Sequence, residues 1–130
     1  MSAELAGKSV LLVDDDRDIL TAIQSALSDT GVTILTASDG DQAIVQAQEH
    51  SPDLIVLDMM LPKRSGFLVL EKLKRGKEPT DPPRVIMITA NPGTRHKIYA
   101  ESQGVDLYIH KPFRMEKLIE SIKEMLTADR

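Results

Sequence analysis

Five short apolar runs, each followed or closed by a polar residue, punctuate this chain along its whole length. They fall at about residues 8–13, 32–37, 53–58, 84–89 and 106–110 and are mostly rich in Val, Ile and Leu. Runs of that length, apolar at nearly every position, suit parallel strands covered on both faces better than a half-exposed antiparallel sheet. Between them the spacing turns helical. Ile19, Leu20, Ile23, Ala26 and Leu27 form one stripe, predicted to stop at a Gly31 cap. Ala43, Ile44 and Ala47 form a weaker stripe, and Phe67, Leu70 and Leu73 a third that ends near Gly76. Met115, Leu118, Ile119, Ile122, Met125 and Leu126 follow helical spacing most closely. Segment 91–102 offers only Ile98 and Tyr99 as large apolar groups, which predicts a shallowly packed helix, and three prolines within 76–83 predict a loop. Alternating strands and helices with right-handed crossovers predict a three-layer α/β/α sandwich around a parallel sheet.

Bulk properties narrow the function. At 130 residues the chain reads as one domain, 1–130, with a core from about 8 to 127 and an N-terminal extension over 1–7. Hydrophobic residues at 42% and charged residues at 28% are those of a globule and not of a disordered chain. A net charge of −4 advertises neither nucleic acid nor an anionic membrane. No apolar run approaches the ~20 residues of a spanning helix, and the first residues lack the apolar core of a signal peptide. With no cysteine there is no disulfide, thiolate or Cys-based zinc chemistry. A cytoplasmic location is the default expectation.

The chemistry sits where the runs end. Asp14 and Asp15 follow Val-Leu-Leu-Val, Asp58 follows Leu-Ile-Val-Leu, Thr89 follows Val-Ile-Met-Ile, and Lys111 follows Leu-Tyr-Ile-His. Strand ends of one polarity share one edge of a parallel sheet, so these five groups are expected to converge. Clustered carboxylates repel one another unless a cation sits among them. An oxygen-only set suits a hard ion such as Mg²⁺, which keeps several waters and binds phosphoryl oxygens. Lys111 adds a point charge and Thr89 a hydrogen-bond donor for the same oxygens.

The ordered set Val13-Asp14-Asp15-Asp16, Asp58 within Leu-Asp-Met-Met-Leu-Pro, Thr89-Ala90 and Lys111-Pro112-Phe113 resembles a response regulator receiver domain over about residues 8–127. The resemblance implies a flavodoxin-like (βα)5 fold with sheet order 2-1-3-4-5, an order the general rule for doubly wound sheets illustrates with a member of this same family. It implies that Asp58 accepts a phosphoryl group from a phosphohistidine on a sensor histidine kinase or histidine phosphotransfer protein. Asp14, Asp15, Asp58 and the backbone carbonyl of Met60 would hold Mg²⁺ or Mn²⁺, and Thr89 and Lys111 the phosphoryl oxygens. The Lys111–Pro112 bond would be cis. Thr89 and Tyr108 would form a switch that remodels the face of the fourth helix, fifth strand and fifth helix for a downstream protein target. The protein would act as a single-domain regulator or be a piece of a longer one, as a monomer or a phosphorylation-dependent dimer, without contacting nucleic acid directly or inserting into a membrane. It would be a signalling protein that promotes its own phosphorylation and dephosphorylation. Pro62-Lys63-Arg64-Ser65-Gly66 departs from the Pro-x-Met-Asp-Gly of many relatives, and Asn91-Pro92-Gly93 places a proline after Thr89. The resemblance also implies that Met60 and Asn91 would flank the approach of a hydrolytic water and tune dephosphorylation.

Each residue also has a plain reading. Asp14 to Asp16 could cap a helix, and Asp16 could do only that. Asp58 alone reads as a loop acid, Lys111 as a solvated charge, Thr89 as a strand residue and Tyr108 as half-buried packing. His50, His96 and His110 lack ligand spacing and read as surface residues. Met59-Met60 reads as core and loop, and Lys72, Lys74, Arg75 and Lys77 as a solvated helix end. Two other functions compete. A haloacid-dehalogenase-type phosphatase would use Asp14 as nucleophile with Asp16, but it needs a cap and a late acidic pair that this chain lacks. A phosphorylation-independent interaction module would not require all five polar residues. No Gly-x-Gly-x-x-Gly or Walker loop follows the first run.

Overall fold

Right-handed connection explains how this chain arranges its layers. The computed structural model describes residues 4–63, 65–76, 82–90 and 94–127, with the backbone alone at 94–96. The elements run β1 (Ser9–Val13), α1 (Arg17–Leu27), β2 (Thr33–Ala37), α2 (Gly40–His50) and β3 (Leu54–Asp58), followed by α3 (Gly66–Lys74), β4 (Arg84–Thr89), α4 (Thr94–Ser102), β5 (Leu107–His110) and α5 (Met115–Thr127). All neighbouring strands pair in parallel, in the order β2-β1-β3-β4-β5. The step from β1 to β2 goes one way across the sheet and every later step goes the other. Right-handed crossovers therefore put α1 on one face and α2, α3 and α4 on the opposite one. The last helix, α5, follows no such constraint and fills the space beside α1.

Strand alternation divides the core accordingly. Val10, Leu12, Leu54, Val56, Ile86 and Ile88 meet Leu20, Ile23 and Leu27 of α1 and Leu118, Ile122 and Leu126 of α5. Leu11, Val13, Ile55, Leu57, Val85 and Met87 meet Ala43, Ile44 and Ala47 of α2 and Val69, Leu70 and Leu73 of α3. Both faces of β1, β3 and β4 are thus dry, which is why those runs lack the polar-apolar alternation of a half-exposed strand.

Several local readings change in the structure. Helix α1 stops at Leu27 and not at Gly31, because Ser28 and Thr30 close its last turn with hydroxyl bonds to the carbonyls of Ser25 (2.9 Å) and Leu27 (2.7 Å). Gly31, at φ 84°, instead turns the chain toward β2. Lys74 is not a solvated end: it lies on the inner stripe of α3 and is buried with Leu70 and Leu73. Lys72 and Arg75 are exposed as expected, and Lys77 lies outside the described residues. The packed core also reaches further toward the N-terminus than residue 8. Leu5 is fully buried beside α1 and α5, its amide donates to Thr30 O at 2.9 Å, and Glu4 pairs with Lys123 at 3.0 Å. Helix α4 is the shallow element its sequence predicts. Ala100 enters the core, while Ile98 and Tyr99 stay exposed, and Tyr99 leans on α3 through the Phe67 ring (5.2 Å) and Glu71 (3.0 Å).

Candidate functional site

Register brings the polar groups to one edge. Val13 pairs with Leu57 and Leu57 with Met87, so Asp14 and Asp58 leave adjacent strands side by side, with Thr89 two positions beyond Met87 on β4. Thr89 pairs with His110, which places Lys111 next along the same edge, its amide donating to Thr89 O at 2.7 Å. Asp14, Asp15 and Asp58 each offer a carboxylate oxygen, and these lie within 4.8 Å of one another. Asp14 and Asp58 are buried, and Asp15 is exposed.

The two buried acids are held alike. Asp14 Oδ1 accepts from the amide of Asp16 (2.9 Å), and Asp58 Oδ1 from the amide of Met60 (3.0 Å), each two residues downstream. That leaves both Oδ2 atoms for Lys111, whose ammonium is 3.3 Å from each. Burial raises the Asp14 pKa, and the Asp58 carboxylate adds to the rise against the opposing pull of the Asp16 amide and Lys111. Burial pulls Lys111 down, but the Asp58 and Asp14 carboxylates outweigh it and the ammonium is held above its ordinary value. Three carboxylates against one ammonium leave excess negative charge, and a ligand set made only of oxygens fits a hard divalent cation.

The remaining candidates fall around this cluster. Thr89 is fully buried. Tyr108 is half-buried, with its hydroxyl 3.9 Å from Met59 Sδ. Burial raises its pKa, while hydrogen bonding from Thr89 opposes the rise. Met59 is buried and Met60 exposed. The Lys111–Pro112 bond is cis. Asp16 stands apart from the acid cluster and caps α1, accepting from the amide of Asp18 at 2.9 Å. His50 and His110 are exposed, whereas the His96 side chain and Asn91-Pro92-Gly93 lie outside the described residues.

Three residues around the site are not identifiable from composition or spacing. A Cβ on Gly66 would lie 2.5 Å from Asp58 O and 2.7 Å from Met59 Cα, so only glycine lets the start of α3 rest on the end of β3. Its amide donates to Met59 O at 2.8 Å. The signal was the glycine that closes the Pro-x-Met-Asp-Gly pattern, eight positions after Asp58, but the close approach it permits is visible only in the fold. Asp39 and Lys63, which meet at 3.7 Å beside the site, carried no signal at all.

A buried acid pair bridged by lysine at the carboxyl edge of a 2-1-3-4-5 sheet defines a phosphoacceptor class of signalling domain. The pattern of the response regulator receiver domain matches residues 10–123, and the chain belongs to that family. It is 37% identical over 119 residues to the alkaline phosphatase synthesis transcriptional regulatory protein PhoP of Bacillus subtilis, covering 92% of this chain and 48% of that one. It is 38% identical over 122 residues to the phosphate regulon transcriptional regulatory protein PhoB of Pseudomonas aeruginosa, covering 94% and 53%. The chain spans about half the length of these relatives. Among solved structures, a Francisella response regulator receiver domain superposes with TM-score 0.82 at 30% identity, covering 92% of this chain and 97% of that one. A CheY-like receiver domain from Methanospirillum hungatei gives 0.82 at 28%, covering 92% and 93%. These residues therefore form a phosphoacceptor receiver domain of the two-component type, and neither the phosphatase nor the phosphate-blind interaction module is favoured. Among the described residues no helix is long and apolar enough to cross a membrane.

Proposed function

We propose that Asp58 is the phosphoryl acceptor and that residues 1–130 form one receiver domain around it. The observation that carries this reading is the Lys111 ammonium, 3.3 Å from both Asp58 and Asp14 in a buried pocket. A carboxylate oxygen of Asp58 attacks phosphorus, the bond from phosphorus to the donor imidazole breaks, and the donor histidine leaves as neutral imidazole once protonated. The product is an acyl phosphate, which water later splits to inorganic phosphate and the free carboxylate. The donor is a sensor histidine kinase or a histidine phosphotransfer protein, and a small acyl phosphate serves in its place because the domain's own groups promote both transfer and hydrolysis.

Asp14, Asp15, Asp58 and the Met60 carbonyl would hold Mg²⁺ or Mn²⁺, which supplies charge neutralisation for phosphoryl oxygens. Lys111 shifts from the Asp58 carboxylate to the new phosphoryl oxygens, and the Thr89 hydroxyl donates to them. Hydrogen bonding from Thr89 lowers the Tyr108 pKa, so engaging a phosphoryl group would draw the Thr89 hydroxyl away from Tyr108. Tyr108 thereby couples the acceptor to the face of α4, β5 and α5, where a downstream protein binds. A cytoplasmic setting follows from that partner set.

Acetyl phosphate with Mg²⁺ should add one phosphoryl group by intact mass, and Asp58→Asn should abolish the gain. Retention of the gain by Asp58→Asn would refute the assignment; transfer of the label to Asp14 would revive the phosphatase reading.

A further inference from the structure

The loop between β3 and α3 carries the Met60 carbonyl and follows directly from Asp58, and one residue in it has an unusual backbone. Lys63 sits at φ 68°; with Ser51 it is one of two non-glycine residues in that region among the described residues. A lysine gains nothing from left-handed backbone, which normally falls to glycine or asparagine. Here it directs the ammonium to Asp39 Oδ2 at 3.7 Å. Asp39 is buried, and its other oxygen caps α2 by accepting from the Gln42 amide at 2.8 Å. One residue along, the Gly40 amide donates to Pro62 O at 3.2 Å. Two adjacent links, 62 to 40 and 63 to 39, thus tie the outer part of the loop to the start of α2. Its inner ends are tied elsewhere, Met59 N to Ile88 O and Gly66 N to Met59 O, both at 2.8 Å.

We propose that Lys63 and Asp39 are a positioning pair that holds the loop after Asp58 in the geometry the cation pocket requires. This rests on the reading of Asp14, Asp15, Asp58 and Met60 as a magnesium site. The pair touches neither the metal nor the phosphoryl group and acts through the backbone of residues 60–62. Its effect differs in sign from that of its charges. Through space alone, removing the Lys63 ammonium would tighten cation binding and removing the Asp39 carboxylate would loosen it. A positioning pair makes both removals loosen it.

The test uses the full chain as Lys63→Gln, Asp39→Asn, the double variant and Lys63→Arg. Asparagine keeps the helix cap while removing the charge. Mg²⁺ is titrated at low ionic strength by tyrosine fluorescence, which no tryptophan obscures. Amide exchange at Met60 and Leu61 is followed in the metal-free protein. Lys63→Gln and Asp39→Asn should each weaken Mg²⁺ binding by about threefold to tenfold, the lower part of the range for outer supports of a metal site because Lys63 is exposed. The double variant should be no worse than either single one, Lys63→Arg should restore binding, and Met60 and Leu61 should exchange faster only in the weakened variants. Tighter or unchanged binding in Lys63→Gln, or additive losses in the double variant, would overturn the proposal. An unmodified protein that shows no response to Mg²⁺ would instead fault the magnesium reading, and unchanged exchange in the variants would then dismiss the pair as well.

Discussion

The Lys111 ammonium lies 3.3 Å from Asp58 Oδ2 while keeping the same distance to Asp14 Oδ2, so one cation serves two buried carboxylates. Removing it leaves two like charges facing each other. Lys111→Met should lower stability at neutral pH by about 2 kcal/mol, less than for a fully buried pair because the lysine side chain keeps 24% of its exposure. Urea denaturation measures the loss. Added Mg²⁺ should stabilise the variant more than the parent, since a bound cation replaces the missing charge; equal stabilisation would contradict the picture of one shared pocket.

The Gly66 contact makes a sharper structural claim. With Asp58 O only 2.5 Å from where a Cβ would stand, Gly66→Ala must push α3 away from the end of β3. A loss of about 2–4 kcal/mol is expected, in the range of overpacking at a rigid backbone contact. Ser65→Ala provides the control. It removes only the α3 cap to the Leu68 amide and should cost about 1 kcal/mol. If both variants unfold at the same denaturant concentration, the close approach carries no weight. Slower phosphorylation by acetyl phosphate in Gly66→Ala, corrected for folded fraction, would show that the displaced backbone includes the acceptor.

What the sequence made legible and what it hid follow from these same residues. The strands of Val, Ile and Leu announce themselves because parallel strands buried on both faces leave no room for polar alternation, and all five matched within a residue at each end. Asp14, Asp15, Asp58, Thr89 and Lys111 were legible because topology maps strand ends onto one edge. Gly66 and Lys63 were not, since their roles depend on distances between loops that no local pattern encodes. Lys74 misled because a charge near a helix end reads as solvated, although its place on the inner stripe, four residues after Leu70, was countable.

Tyrosine titration tests the Thr89–Tyr108 contact. The chain has two tyrosines and no tryptophan, so phenolate absorbance reports them alone. Tyr99 is raised above 10.0 by its bond to Glu71, and Tyr108 is raised chiefly by burial. A phenol whose folded pKa is raised adds stability that is fully present below the unfolded value and lost as pH rises through the folded one. Stability should therefore fall above about pH 10. In a Tyr99→Phe background, Thr89→Val removes the bond that opposes the rise and should move the Tyr108 midpoint higher still. A midpoint that stays put would mean that the two side chains are not coupled.

Leu5 offers the last test, of whether the N-terminal residues belong to the packed unit. Its side chain is fully buried among residues of α1 and α5, and its amide is bonded to Thr30. Leu5→Ala should cost about 2–4 kcal/mol if the segment unfolds with the whole domain, the usual range for a large-to-small core change. Glu4→Gln, which removes only the exposed partner of Lys123, should change stability by less than about 1 kcal/mol. Should Leu5→Ala leave the global transition untouched while amides near Thr30 exchange faster, the segment frays on its own and the core closes without it.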